Sequence, residues 1–482
     1  MSLQNAEILG RVRTKIVATL GPASSHPAMV LRLVEAGVDC FRLNASHTAH
    51  AERTQLLVTI RSVSEEIGHP VGVLLDLGGP KIRLGPLVDD AVECPQGAIF
   101  RLTRSRVSSA PNEFTCTLPE LCSELKRGDP VLFADGTVAM EVTDTDAAGV
   151  TLAVTLPGRL RSGQGLNLPG AALKVAALTE ADLADLDWLR ENPVEYVGLS
   201  FARTAADVEV LRSELTARGC QARIVTKIEK PQAVQNFSSI LAVTDAVMIA
   251  RGDLGVEMDV ARVPAIQKQI LTECQRARVP VITATQMLQS MERSNRPSRA
   301  EASDVFNAVV DGTDAVMLSG ETAIGEYPIE TVRTMSRIVS EAEKFLPQIW
   351  RDPGPISRGG WITPTTEAVV EAASATCRKL GAALLVVATH SGRTALAVSK
   401  QRGPTPTLAL VDNLQTARIS SLYWGVTPLY VPTLSNLEHA LEFALTWARQ
   451  HELVHAGDCV VMIRGTIPGS TVHNALVVEH VT

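Results

Sequence analysis

The sequence predicts an α/β protein built on a (β/α)8 barrel, with an all-β domain inserted in one barrel loop and a separate α/β domain at the C-terminal end. Three observations carry that expectation. Eight short runs rich in Val, Ile and Leu lack polar alternation, as strands buried on both faces do, and most precede an amphipathic helical stretch. The strand–helix period breaks once, from Pro80 to about Leu168, where short Gly/Pro-punctuated strand-like segments take over. It breaks again after about Pro347, where a new strand–helix series starts. The expected division is therefore a TIM-barrel catalytic domain over 1–79 and 170–347, a β lid over 80–169 and an α/β domain over 348–482.

The barrel strands are expected at Thr14–Thr19, Asp39–Leu43, Val71–Leu75, Tyr196–Leu199, Arg223–Thr226, Ala246–Ile249, Pro280–Thr283 and Ala315–Leu318. Ala205–Ala217 and Val263–Ala277 are the clearest helices, with apolar residues at helical spacing and charges between them. Eight such units in series suggest a closed barrel whose strand C-termini form the active face. Within the insert, Asp129–Val142 and Gly149–Leu156 read as strands, and a domain hung on a barrel loop is placed to act as a lid. Asp352–Thr363 reads as a linker. Beyond it, strands are expected at Ala383–Ala388, Thr407–Val411, Thr427–Val431 and Cys459–Ile463.

At 482 residues the chain exceeds what one hydrophobic core supports. Its 45% hydrophobic and 20% charged residues are ordinary for a soluble globular protein. A net charge of -7 argues against a nucleic-acid or membrane partner, both of which favour a basic face. Any anionic ligand then has to be held by local positive groups. The eight cysteines are scattered singly, without metal-ligand spacing, which suits reduced thiols in a reducing compartment. No basic stretch followed by an apolar one opens the sequence, and no apolar run has membrane-spanning length, so a cytoplasmic location is expected. Walker-type and dinucleotide fingerprints are absent.

Unusual polar residues collect just past the strand ends: Arg42, Asn44 and Ser46 after the second, Asp76 after the third, and Lys227 and Glu229 after the fifth. Arg251, Gly252 and Asp253 follow the sixth, Thr285 the seventh, and Ser319 and Glu321 the eighth. Scattered structural polar residues would not choose one barrel face so consistently. Lys227 and Glu229, one residue apart, share a face of an ending strand. Read blandly, they are a structural ion pair; at a barrel's top they point to a site. Arg251–Gly255 offers a carboxylate, a guanidinium and two glycines, and a helix starting there would aim N–H groups at an anion. Taken alone it would be an ordinary turn. Together the two motifs supply two carboxylates, Glu229 and Asp253, for a hard divalent cation.

These residues also carry a resemblance. IVTKIEKPQAV resembles the active-site signature of pyruvate kinases, and TKIVATLGPAS, RLNASH, DLGGPKIR, MIARGDLGVE, TQML, RPSRAEASDV and DAVMLSGETAIGEYP are similar to further motifs of that family. The resemblance implies the three-domain architecture, a homotetramer, and the reaction phosphoenolpyruvate + ADP → pyruvate + ATP. It implies Mg2+, or Mn2+ in its place, on Glu229 and Asp253. It gives Lys227 the stabilisation of charge on the phosphoryl group and enolate, and Arg42 the phosphate. The backbone at Gly252–Asp253 and the Thr285 hydroxyl would orient the substrate carboxylate. Thr285, Ser319 and Glu321 would lie near the route that protonates the enolate, and Arg83 would serve the phosphates at the lid hinge. Such chemistry is coherent, because phosphoryl transfer depends mainly on positioning and charge neutralisation.

Some positions depart from the family pattern. Ala45, Thr48 and Gln289 replace frequent Phe, Gly and Glu without removing a catalytic group. Leu77 and Lys81 stand where many members carry Thr and Glu beside a monovalent-cation site, and members with Lys there are generally K+-independent. Lys81, with Asn44, Ser46 and Asp76, is thus expected to replace K+ by a fixed ammonium that pairs with Asp76. In the C-terminal domain, Thr389, Ser391, Gly392, Arg393 and Thr394 on one loop and Arg464, Gly469, Ser470 and Thr471 on another could cradle the phosphate of an effector. Two polar connecting loops are the plainer reading. Two other functions compete. A lyase-like barrel enzyme acting on phosphoenolpyruvate or a 2-oxo acid would not explain the insert or the appended domain. A non-catalytic sugar-phosphate sensor would not need Lys227 and both carboxylates.

Overall fold

The computed structural model describes residues 12–105, 107–108, 110–169, 176–349, 362–432, 437–466 and 472–482. The expected linker falls almost wholly outside them. Eight parallel strands, β1 (Lys15–Thr19), β2 (Cys40–Asn44), β3 (Gly72–Asp76), β12 (Tyr196–Leu199), β13 (Arg223–Ile228), β14 (Ala246–Ala250), β15 (Val281–Ala284) and β16 (Ala315–Leu318), close into a barrel in the order β1-β16-β15-β14-β13-β12-β3-β2. The near-continuous burial of these strands follows from interior side chains on one face and covering helices on the other. Register sets up the site. Asp76 lies opposite Asn44 on one side and Gly198 on the other, and Lys227 lies opposite Met248.

Between β3 and β12 the chain builds the lid. Strands β4 (Ala91–Cys94) and β10 (Gly158–Arg161) pair with each other. Strands β5 (Ile99–Thr103), β6 (Glu113–Phe114), β7 (Pro130–Phe133), β8 (Val138–Asp146), β9 (Gly149–Leu156) and β11 (Leu166–Asn167) form a six-stranded sheet in the order β11-β7-β8-β9-β5-β6. At its centre Phe100 and Phe114 stack, their rings 4.7 Å apart, and Phe133 meets Phe114 edge-to-face. The stretch read as one strand, Asp129–Val142, is a hairpin. Its turn holds Ala134 and Asp135 at positive φ before Gly136, so the chain reverses there.

The C-terminal domain has β17 (Leu384–Ala388), β18 (Thr407–Val411), β19 (Val426–Tyr430), β20 (Cys459–Arg464) and β21 (Ala475–His480) in the order β19-β18-β17-β20-β21. The antiparallel edge strand β21 is not among the expected strands; it pairs only with β20, and its residues run from half-buried to exposed. This domain seals the barrel. Ala395, Leu396, Leu422 and Tyr423 pack in one cluster with the barrel-lining Val17, Leu74, Met248 and Met317. The Tyr196 hydroxyl donates to the Ile419 carbonyl at 2.6 Å. Across the barrel from it, the buried Lys400 ammonium meets Asp314 at 2.6 Å, just ahead of β16. Among the described residues no helix is long and apolar enough to cross a membrane, and all eight cysteines are free thiols.

Candidate active site

The polar groups at the ends of β2, β3 and β13 meet in one buried network. Lys227 Nζ donates to Ser200 Oγ at 2.8 Å and lies 3.2 Å from Asp76 Oδ1 and 2.9 Å from Glu229 Oε1. Arg42 donates from Nε to Asp76 Oδ2 at 2.7 Å and from Nη1 to Thr19 Oγ1 at 3.2 Å. Both carboxylates are 1% exposed. Burial alone would raise Asp76, but Lys227 and Arg42 hold its carboxyl below the ordinary value. Burial opposes the Lys227 charge, yet Asp76 and Glu229 keep its pKa above that of a free lysine. Glu229 moves the other way. Burial and the neighbouring Asp253 raise it, although Lys227 and the Phe201 amide, 2.7 Å from its Oε2, pull against them.

The turn after β14 becomes the helix Arg251–Glu257, with Asp253 in its first turn. Arg251 is committed to protein partners. Its guanidinium donates to the carbonyl of Thr285 at 2.8 Å and to Asp304 at 2.7 Å, so it braces the loop after β15. Thr285 sits at φ +69°, a strained conformation for a β-branched residue. Its hydroxyl accepts from the Gly252 amide at 2.8 Å and donates to the Ala284 carbonyl at 2.6 Å. Gly252 therefore has a committed N–H, while the next amide, that of Asp253, lies in the first turn, where N–H groups lack the usual partner four residues back. Glu321, buried past β16, accepts from the amides of Ser319 at 2.6 Å and Leu288 at 3.1 Å, clamping two active-face loops together. Burial raises its carboxyl above the ordinary value.

Asn44 and Ser46 lie beside this network. The Ser46 amide donates to Asn44 Oδ1 at 3.2 Å, and a Cβ on Gly78 would stand 2.9 Å from Ser46 Oγ. Arg83 is anchored at the lid's base, donating from Nη1 to the Gly163 carbonyl at 3.2 Å. The expected Lys81–Asp76 pair is not formed. Both Asp76 oxygens face Lys227 and Arg42 instead, because barrel closure brings those cations closer than a residue five positions along the chain. Lys81 has no acidic partner among the described residues. It lines an open cleft at the hinge with Phe201, Arg203 and Lys230. With Arg83 and Arg42 it still reaches His47, whose pKa is lowered by burial and by those three cations. Sequence reasoning misses the end of β12. Ser200 and Phe201 follow that strand as directly as Asp76 ends β3, and that position is the available signal.

Two neighbouring carboxylates at the strand ends suit a hard divalent cation that takes its remaining oxygens from substrate and water. The repulsion that raises Glu229 is what such an ion would relieve. In the C-terminal domain, the helix Arg393–Lys400 starts after Gly392 at φ +73°, with Ser391 and Arg393 exposed. The buried hydroxyls of this loop face inward. Thr389 Oγ1 accepts from the Gly392 amide at 3.2 Å, and Thr394 Oγ1 lies 3.0 Å from His473 Nδ1. Arg464 ends β20, half-buried. Gly469, Ser470 and Thr471 lie outside the described residues.

Comparison with known proteins matches the same parts. Residues 11–332 fit the family described as pyruvate kinase, barrel domain, and residues 367–479 fit pyruvate kinase, alpha/beta domain. A protein of Synechocystis named pyruvate kinase 2 is 40% identical over 461 residues, covering 95% of this chain and 77% of that protein. The pyruvate kinase of Agrobacterium vitis is 40% identical over 457 residues, covering 94% of this chain and 95% of its own. That of Corynebacterium glutamicum is 37% identical over 470 residues, or 97% of each chain. Likeness of this depth, running through the barrel and the C-terminal domain in the order the fold lays them down, makes the chain a member of the pyruvate kinase family of phosphotransferases.

Proposed function

We propose that this enzyme moves the phosphoryl group of phosphoenolpyruvate to ADP, giving pyruvate and ATP, with Mg2+ or Mn2+ between Glu229 and Asp253. The observation that carries the reading is the Lys227 ammonium, buried between two carboxylates beside Arg42 at the C-terminal end of the barrel. Lys227 and Arg42 bind the phosphate, and the Lys227 charge stabilises the enolate oxygen as the bond to phosphorus breaks. The backbone N–H of Asp253 orients the substrate carboxylate, while Thr285 holds Gly252 in place for it. The enolate takes its proton on the side of Thr285, Ser319 and Glu321. Arg83 contacts phosphates as the lid closes and excludes water. A bound divalent cation would neutralise charge on the transferring group.

Two features support independence from K+. Leu77 is buried in the core and offers no side-chain oxygen, and Asp76 is already neutralised by two cations. Lys81 adds a fixed charge near His47 and Arg83. The exposed Ser391 and Arg393 at a helix start support activation by a phosphorylated metabolite. Family membership extends the reading to a homotetramer in the cytoplasm. A coupled assay of ATP formation from ADP, phosphoenolpyruvate and Mg2+ tests the reaction. Asp253→Asn should keep the fold, weaken cation binding and collapse turnover. A near-normal rate with unchanged Mg2+ dependence would reject the cation site.

A further inference from the structure

Three side chains meet where the lid returns to the barrel. Glu257 Oε1 accepts from Asn167 Nδ2 at 2.9 Å and lies 2.5 Å from Lys230 Nζ. Glu257 is 3% exposed and Asn167 7%. Each comes from a different part of the molecule. Asn167 ends β11 and pairs with Leu132 of β7, so it belongs to the lid sheet. Lys230 directly follows Glu229. Glu257 ends the helix that carries Asp253 one turn earlier, and residues four apart on a helix share a face. The lid approaches the same helix once more. A Cβ on Gly136, in the β7–β8 turn, would stand 3.8 Å from Val256 Cγ1. The lid sheet is thus bonded to the helix bearing Asp253 at Glu257 and passes close to it at Val256.

A buried ion pair is weak evidence for stability, since apolar residues of similar volume often serve as well. Here the pair has a third partner from another domain, and that partner sits at the lid's point of return. We propose that Glu257 is a positioning residue, pinning the pivot of the lid to both carboxylate-bearing segments so that lid position and the Glu229–Asp253 spacing are set together. The second half of this statement rests on the reading of Glu229 and Asp253 as a cation site. Asn167 serves only the lid side of the joint, whereas Glu257 serves both sides. The two residues therefore separate the effects.

Spin labels at Glu141→Cys in the lid and Gln269→Cys on the barrel, in a Cys220→Ser background, report the lid–barrel distance without metal or substrate. Mn2+ binding to the unlabelled enzyme is read separately by its paramagnetic resonance. Asn167→Ala should widen the distance distribution and raise KM for phosphoenolpyruvate about tenfold, as expected when a hydrogen bond to a carboxylate no longer favours the competent lid position. Its Mn2+ affinity should stay within about twofold of wild type and its kcat within about threefold. Glu257→Gln should widen the distribution and also weaken Mn2+ binding about tenfold, because Lys230 and the helix lose their common anchor. Distributions as narrow as wild type in a folded Asn167→Ala protein overturn the pivot, even if Glu257→Gln fails to fold. Unchanged Mn2+ affinity in Glu257→Gln overturns its link to the carboxylates. Unchanged affinity in Asp253→Asn would instead overturn the cation site itself, and the distance measurement would still decide the pivot.

Discussion

Replacing Lys227 with methionine removes the positive charge between two buried carboxylates and keeps the length of the side chain. The ammonium stands 3.2 Å from Asp76 and 2.9 Å from Glu229, and 12% of its side chain is exposed. After the change Asp76 still has Arg42 at 2.7 Å. Among the described residues Glu229 then keeps the Phe201 amide alone, so the uncompensated charge falls there. Removing one partner of a buried pair costs about 3–5 kcal/mol. Glu229 escapes part of that cost by taking up a proton, since burial and Asp253 already raise its pKa. We expect the barrel to lose about 3 kcal/mol at pH 7 in the absence of divalent cations. The sign of the pH effect follows. A carboxyl whose folded pKa is raised stabilises the fold below its unfolded pKa and loses that stability as pH rises through the folded value, so the deficit should shrink as the pH is lowered towards the ordinary carboxyl range. Added Mg2+ should also restore part of it. Turnover should fall by about 10³–10⁵, the range seen when a charge-stabilising cation is removed from a phosphoryl-transfer site. Urea unfolding with and without Mg2+, followed by a coupled assay on the folded variant, measures both. A folded Lys227→Met enzyme within about tenfold of wild-type kcat would refute the transition-state role. Unchanged stability at pH 7 without Mg2+ would refute the buried-charge argument.

The wild-type enzyme should reach its full rate in Mg2+ and ADP with only a bulky organic cation present, and a many-fold rise on adding K+ would refute this. Lys81→Glu should slow it about tenfold and create partial K+ dependence, with Leu77 limiting the rescue. Titrating sugar phosphates should shift the phosphoenolpyruvate saturation curve, and Arg393→Ala should abolish the shift; a shift that survives the substitution rejects the effector loop. At alkaline pH, burial pushes the Cys116 and Cys377 thiols to about 11 and the Tyr423 hydroxyl to about 12. These groups stabilise the fold fully below about pH 9 and lose that contribution as pH rises towards 12, so the urea midpoint should drop clearly between pH 8 and pH 11. An unchanged midpoint would show that the three groups ionise as freely in the folded protein as in the unfolded one.

Local pattern makes much of this protein legible. Unbroken apolar runs mark the eight barrel strands because strands buried on both faces need no polar alternation, and Tyr196–Leu199 and Ala315–Leu318 have the expected limits. Period two places Lys227 and Glu229 on one face, and they do meet at 2.9 Å. The family is legible too, because each of its motifs is a run of adjacent residues. Which groups pair across the molecule is another matter. Asp76 takes Arg42 and Lys227 rather than Lys81, Arg251 braces the Thr285 loop, Glu321 joins two loop amides, and Thr394 turns to His473. Asn167 and Glu257 meet across two domains. Periodicity and turn chemistry act over a few neighbouring residues, so they can be read along the chain. Ion pairs and hydrogen bonds are decided over about 3 Å in a low-dielectric interior, and only closure of the barrel and seating of the lid determine which distant side chains come that near.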